Sequence, residues 1–143
     1  MAVETGQAII QAVYNRLTAD TTLKAAFGGA VRLYRVLPPT DPTLPYLVHR
    51  MTSIEWPIAR ATYWLDLWYY GTDSASVDAI IERIRTLLEN WRITTGDSEI
   101  GAGRITFNAN GSGYVPTDNT LIWHYSTMWS INCMSKRLTG LVG

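Results

Sequence analysis

One stretch, Ala61 to Trp91, limits what this chain can fold into, because its apolar period changes partway along. Tyr63-Trp64-Leu65-Asp66-Leu67-Trp68-Tyr69-Tyr70 is rich in aromatic residues, which suit a pleated, half-buried surface. Gly71-Thr72-Asp73 interrupts it, and the period then moves from 2 to 3.6. Val77, Ile80, Ile81, Ile84, Leu87, Leu88 and Trp91 make one apolar stripe on a helix, with Asp78, Glu82, Arg83, Arg85 and Glu89 left for water. A strand and a helix that each need cover are two halves of one core.

The flanking sequence extends the same plan. Thr5 is placed to cap a first helix reaching about Thr18, with Ile9, Ile10, Val13, Tyr14 and Leu17 inward. Asp20 caps a short second helix, and Gly28-Gly29 ends it, glycine being favoured in the left-handed position after a helix. Val31 to Val36 reads as a strand, with Val31, Leu33 and Arg35 on one side. Leu37 to Pro45 contains four of the six prolines, so it is a stiff connector and not a central strand. Tyr46 to Ile54 is the next strand, and Glu55-Trp56-Pro57 turns into the aromatic one. Short connections here suggest antiparallel neighbours.

Beyond the helix, Thr94 to Glu99 reads as a loop and Ile100 to Asn108 as a strand with Ile105 and Phe107 on its apolar side. Ala109 to Asn119, with Gly111, Gly113 and Pro116, reads as a flexible loop too long for a simple hairpin tip. Leu121 to Cys133 alternates cleanly. Leu121, Trp123, Tyr125, Thr127, Trp129, Ile131 and Cys133 share one face, and Ile122, His124, Ser126, Met128, Ser130, Asn132 and Met134 share the other, largely polar one. The order α-α-β-β-β-α-β-β predicts an α+β fold: a two-layer sandwich, mainly antiparallel sheet, with helices packed on one face.

With 143 residues, 47% of them hydrophobic, the chain suffices for one well-cored domain. Cys133 is the only cysteine, so no internal disulfide is available. Twelve basic and twelve acidic residues cancel without a basic cluster, which argues against a dedicated nucleic-acid binder. No basic-then-apolar leader opens the sequence, and no apolar run approaches the ~20 residues of a membrane span, so a cytoplasm-like setting is expected. Lys136 to Gly143 reads as a tail ordered only by a partner.

Catalytic chemistry finds little support. His49 and His124 each fall inside an expected strand, and a histidine on a strand's polar side is ordinarily a surface residue. Cys133 reads as a small buried thiol with no activating base nearby in sequence. Zinc-protease, C-x-x-C, Walker-type and G-x-G-x-x-G patterns do not occur. Asp73 reads as a helix cap, not as part of an anion site, and Asp97 and Glu99 read as solvated. No cofactor or metal is expected.

The aromatic strand is more informative. Tyr63, Leu65, Leu67 and Tyr69 form one side, and Trp64, Asp66, Trp68 and Tyr70 the other, although only one side can face the helices. The second side is a covered core face, a subunit interface or a ligand pocket. Trp and Tyr are enriched at interfaces, and Asp66 between two tryptophans suits an arginine from a neighbouring copy, such as Arg60 or Arg104.

Several segments resemble bacteriophage tail-completion, or tail terminator, proteins. They are Val13-Tyr14-Asn15-Arg16-Leu17, then Phe27-Gly28-Gly29-Ala30-Val31-Arg32-Leu33-Tyr34, then Val36-Leu37-Pro38-Pro39 and Leu44-Pro45-Tyr46-Leu47-Val48. The aromatic strand running at once into a helix, and a final strand pair, fit as well. The likeness spans about residues 8 to 135. It implies a structural virion protein without enzymatic activity, assembled in the host cytoplasm. It further implies a homo-oligomeric, hexameric ring that caps the head-proximal end of the tail tube, ends tube polymerisation and offers the head–tail joining surface. The implied partners are the tail tube protein and a head–tail connector or neck protein, with DNA passing through the channel without specific binding and no membrane involved.

Candidate interface residues are then Trp64, Asp66, Trp68, Tyr70, Arg60 and Arg104. Candidate contacts to tube or neck are Pro38, Pro39, Asp41 and Pro42 in one loop, and Asn110, Gly111, Ser112, Gly113, Tyr114 and Asp118 in the other. Removing Gly111 to Val115 is accordingly expected to spare folding and impair tail joining. A head-closure or neck adaptor shares the same size and symmetry. A ligand-binding α+β domain walled by Trp64, Trp68, Trp123 and Trp129 is the alternative of a different class, and an enzyme comes third.

Overall fold

The expected order of elements is present in the computed structural model, which describes residues 2–52, 58–93 and 100–135. Helices α1 (Ala2–Thr18), α2 (Thr21–Ala26) and α3 (Ser74–Leu88) accompany strands β1 (Leu33–Arg35), β2 (Tyr46–Met51), β3 (Ile58–Tyr70), β4 (Ile100–Val115) and β5 (Ile122–Ser135). The strands form one open sheet in the order β1-β2-β3-β5-β4. The expected turn at Glu55-Trp56-Pro57, the loop at Thr94 to Glu99 and the tail from Lys136 lie outside the described residues.

The helices take one face of this sheet. Leu47, Tyr63, Leu65, Leu67, Ile105, Trp129 and Ile131 point toward them and are buried, as is Cys133. Opposite them, α1 contributes Ile9, Val13 and Leu17, and α3 contributes Val77, Ile80, Ile81, Ile84 and Leu88. Burying a side chain of this size is worth about 1.5–3 kcal/mol relative to leaving it in water, which is why the 3.6 and 2 periods converge on one layer boundary. Asp20 caps α2 by accepting from Leu23 N, and the same carboxylate receives both Arg83 Nη2 at 2.6 Å and Nε at 3.0 Å, tying α2 to α3. Gly29 N returns to Lys24 O at 2.7 Å with Gly28 at φ 81°, the left-handed stop expected there.

Several expectations need correction. Helix α1 begins at Ala2, so Thr5 lies inside it and does not cap it. Tyr14 is 38% exposed and off the inward stripe. Helix α3 ends at Leu88, because Glu89 leaves helical geometry and Asn90 turns to φ 59°. Trp91 therefore packs from the following segment, with the Arg16 guanidinium 4.7 Å above its ring and Arg16 Nε donating to Leu87 O at 2.6 Å.

Strand β1 runs parallel to β2, not antiparallel. The reason is the proline connector, residues 36–45, which is long enough to carry the chain back to the starting end of β1. Arg32 pins that return, with Nε donating to Thr43 O and Pro45 O and Nη2 to Phe27 O, at 3.0–3.1 Å.

The largest correction concerns residues 109–115, which continue β4 and are not a loop. The register shifts between Asn108↔Met128 and Gly113↔Ser126, so residues 109–112 stand opposite Thr127 alone. Side chains replace the missing ladder: Ser112 Oγ donates to Asn108 O at 2.8 Å and accepts from Met128 N at 3.0 Å. This is a bulge, a strand device, even though its Asn-Gly-Ser-Gly composition looks like a turn.

Candidate functional site: the open face of the sheet

The residues of β3 that point away from the helices meet matching residues of β2 and β5. Register places Tyr46, Trp68 and His124 in one row, Val48, Asp66 and Ser126 in the next, and Arg50, Trp64 and Met128 in a third. Among the described residues no helix lies over these rows.

The rows are filled by their own side chains. Trp68 and His124 stack with ring centroids 3.9 Å apart and an interplanar angle of 11°. Tyr46 lies on the other side of Trp68 at 6.3 Å, and Tyr34 of β1 extends the row at 6.0 Å from Tyr46. The Arg50 guanidinium sits 3.9 Å from the Trp64 ring centroid, a cation–π contact. Asp66 Oδ1 accepts from Ser126 Oγ at 2.8 Å, and Oδ2 lies 3.3 Å from His124 Nε2.

Of the candidate interface residues, the structure therefore brings Trp64, Asp66 and Trp68 together on the open face. Tyr70 stands at the end of β3, 56% exposed. Arg60 and Arg104 flank Asn132 across β5, at the opposite end of the face. Arg60 is six positions from Asp66 along β3, which is about 20 Å of extended strand. Asp66 is satisfied within its own chain by Ser126 and His124. Tyr34, Tyr46, Arg50, His124 and Ser126 belong to the same surface but were not singled out from sequence. Only the cross-strand register assembles them, and the alternation of each strand alone does not carry it.

The long β4 edge offers little to a partner strand. Ile93 N donates to Gly103 O at 3.0 Å, Asn90 N to Ile105 O at 2.9 Å, and Phe107 N gives its proton to Glu89 Oε2 at 3.1 Å. The bulge occupies the next residues. These are the ordinary means of blunting a sheet edge, and here the segment after α3 supplies them.

The proposed contact loops separate in the same way. Pro39 and Asp41 are exposed and Pro38 and Pro42 half-buried in a connector whose neighbour Leu37 is 75% exposed. Asn110, Gly111, Ser112 and Gly113 belong to the bulge. Tyr114 is anchored to α3 through hydrogen bonds from its hydroxyl to Asp78 and to Ser74 O, with its ring against Trp123 and Tyr125. Burial, then the Asp78 carboxylate, pushes the Tyr114 phenol up. Asp118 alone of that group is in the hairpin tip, where Thr117 Oγ1 donates to Asn119 O and Ile122 O.

Trp123 and Trp129 do not join Trp64 and Trp68 as pocket walls. They lie on the helix side, Trp129 fully buried and Trp123 donating from Nε1 to Gly71 O at 3.0 Å. The Ser126, Asp66 and His124 trio has the composition of a hydrolytic triad but not its wiring. Such a triad needs the serine bonded to the imidazole, and here the carboxylate lies between them. Cys133 is a buried thiol pushed by burial to about 11, the reverse of an activated nucleophile. Among the described residues no group of three or more His, Cys, Asp or Glu side chains is placed to hold a metal.

His49 is the other departure from expectation. It points inward and is 2% exposed, where a surface position was expected.

Comparison with known proteins adds the following. The family model described as "Tail completion protein gp17" matches residues 11–121. Among solved structures, a chain from "Virion of native gene transfer agent (GTA) particle" superposes with a TM-score of 0.68 at 15% identity, covering 90% of this chain and 96% of that one. A second solved chain superposes with a TM-score of 0.61, also at 15% identity, covering 90% of this chain and 95% of that one. At that identity the likeness is one of fold. No curated protein matches the chain.

Proposed function

The chain belongs to the tail completion protein gp17 family, and on that premise we propose that it caps the head-proximal end of a phage tail tube as a hexameric ring. It is a structural protein of a phage-type tail. In the proposed role, one surface of the ring meets the last ring of tube protein and stops further addition. The opposite surface receives the connector or neck of the head, and DNA passes through the centre. Assembly takes place in the host cytoplasm, and the finished ring remains in the virion.

The observation that supports this reading best is the open sheet face. It carries Trp64, Trp68, Tyr46 and Tyr34 in an ordered array that nothing in the described chain covers. An array of that kind suits burial against protein, since ordered aromatic anchors dominate protein interfaces. A closed ring requires two different patches per subunit, and a two-layer sandwich presents two different layers. The proline connector around Pro39 and Asp41, and the hairpin tip at Asp118, are the projecting segments proposed to touch tube or neck.

The test is electron microscopy of purified protein mixed with tail tubes. Density at one end only, on tubes that no longer lengthen when tube protein is added, is the expected result. Binding along the tube wall, or capped tubes that continue to grow, would overturn the proposal.

A further inference from the structure

The ring reading leaves open which surface of the next copy the sheet face meets, and the charges of the two layers bear on this. The open face carries three exposed arginines, Arg50, Arg60 and Arg104. None of them forms an ion pair with a described carboxylate. Asp66, the acid among them, is taken up by Ser126 and His124. Among the described residues the face is therefore net positive.

On the opposite layer, the flank of α3 that faces β4 carries Asp78, Glu82 and Glu89 against Arg85 alone, and is acidic. Asp78 accepts from Tyr114, Glu89 accepts from Phe107 N, and Arg85 is drawn over the Phe107 ring at 4.2 Å. Glu82, exposed between them, has no described side-chain partner, and it borders a groove floored by Tyr125. Among the described residues, one layer thus offers an arginine without a carboxylate, and the other a carboxylate without a cation.

We propose that the occupant of the open face is a second copy of this chain, seated by its α3 side, with Arg50 of one copy opposite Glu82 of the next. The contact is head-to-tail, uses different patches on the two copies and leaves each copy free to make it again, as a ring demands. It rests on the ring reading above and names the mode of contact within it.

A nucleic acid is the other partner that a sheet rich in aromatics and arginines brings to mind, because bases stack on exposed rings. Here those ring faces are in use. Trp68 is stacked on His124 and flanked by Tyr46, and Trp64 lies under Arg50. A base would have to displace Arg50 or His124 to stack on those faces, whereas the exposed Arg50 guanidinium is already presented to a carboxylate of a protein partner.

Sedimentation of the wild type, Arg50→Glu, Glu82→Arg and the variant carrying both changes tests the contact. Each single reversal is expected to weaken self-association about tenfold or more, and the double variant to return to within about threefold of wild type, because the pair is re-formed with opposite polarity. Thermal melts are expected to change little, since Glu82 is exposed and the Arg50 changes lose only an exposed contact with Trp64; Arg50→Gln and Glu82→Gln replace any variant that melts markedly lower. A wild type that assembles, with single variants that assemble equally well, overturns this contact and leaves the ring standing. A wild type that stays monomeric into the millimolar range overturns the ring reading and this contact together. Tight binding of a single-stranded oligonucleotide, lost in Arg50→Glu while assembly persists, overturns it in favour of nucleic acid.

Discussion

The Nδ1 atom of His49 and the hydroxyl of Tyr63 share a hydrogen bond of 2.7 Å between neighbouring strands, with both residues buried on the helix side of the sheet. The two rings meet edge-on at 5.7 Å, so each polar tip finds its partner inside an apolar layer. Burial, then the nearby Arg35 charge, lowers His49 to about 4, while burial pushes the Tyr63 phenol well up.

This pair predicts a pH dependence of stability. In the unfolded chain His49 takes up a proton near pH 6.5, whereas in the folded chain it does so only near 4. Between those values the unfolded state binds more protons, so stability rises with pH and falls as pH drops from about 6.5 to about 4. The full effect is about 3 kcal/mol, read as the drop in urea-unfolding free energy across that window. Tyr63→Phe leaves the imidazole without its buried partner and is expected to cost about 1–3 kcal/mol at pH 7. A Tyr63→Phe variant as stable as wild type would show that the bond contributes nothing.

A second prediction concerns Asp20, whose side chain is 8% exposed and serves two elements at once. It caps α2 and receives the bidentate Arg83 pair, which holds its carboxyl below the ordinary range. Asp20→Ala removes the cap and separates α2 from α3, with an expected loss of about 1–3 kcal/mol. Arg83→Ala keeps the cap and is expected to lose less. Because the Asp20 pKa is depressed on folding, its contribution is present above the ordinary carboxylate range and disappears as pH falls through the folded value. Equal melting temperatures for the two variants would place all the stabilisation in the ion pair.

What the sequence conveyed and what it withheld follow one physical division. The α3 stripe, the alternation of β5 and the cap at Asp20 are local patterns, and each was legible. The parallel pairing of β1 was not, since three residues carry too little period to show direction. His49 looked like a surface residue because its reason for burial, Tyr63, lies on another strand. Residues 109–112 looked like a loop because the side chains that sustain the bulge, Asn108 and Ser112, are themselves turn-formers in composition. The sidedness of Trp64, Asp66 and Trp68 was readable, but their neighbours Tyr46, Arg50 and His124 came only with register.

The bulge reverses one expectation and supplies a third prediction. Removing Gly111 to Val115 deletes strand, including the Tyr114 anchor on α3, so it is expected to abolish cooperative folding. Gly111→Ala is the finer probe. A Cβ there would lie 2.0 Å from Met128 Cε and 3.0 Å from Met128 Cβ, and the second clash cannot be relieved by rotating the methionine tip. A loss of about 1–3 kcal/mol is expected, as for overpacking elsewhere. Circular dichroism melts of both variants decide the matter; a cooperative, native-like melt for the deletion would restore the loop reading.

The fourth prediction separates interface from core on the two sides of the same sheet. Trp68 is half-buried by Tyr46 and His124, whereas Trp129 is fully buried, donates from Nε1 to Thr127 Oγ1 at 2.8 Å and meets Phe107 edge-on at 4.9 Å. Trp129→Ala empties a sealed site and is expected to cost about 3–5 kcal/mol of folding free energy. Trp68→Ala removes a ring that is only half-buried, so the folding cost is expected to be about 1–2 kcal/mol. If the open face is the contact between copies, the same change lowers self-association by about 2 kcal/mol or more, close to thirtyfold in dissociation constant. Paired urea-unfolding and sedimentation measurements read both quantities on one preparation. Should Trp68→Ala unfold the chain as Trp129→Ala does, while assembly of the folded fraction is unchanged, the open face would be core by energetics and the contact between copies would lie elsewhere.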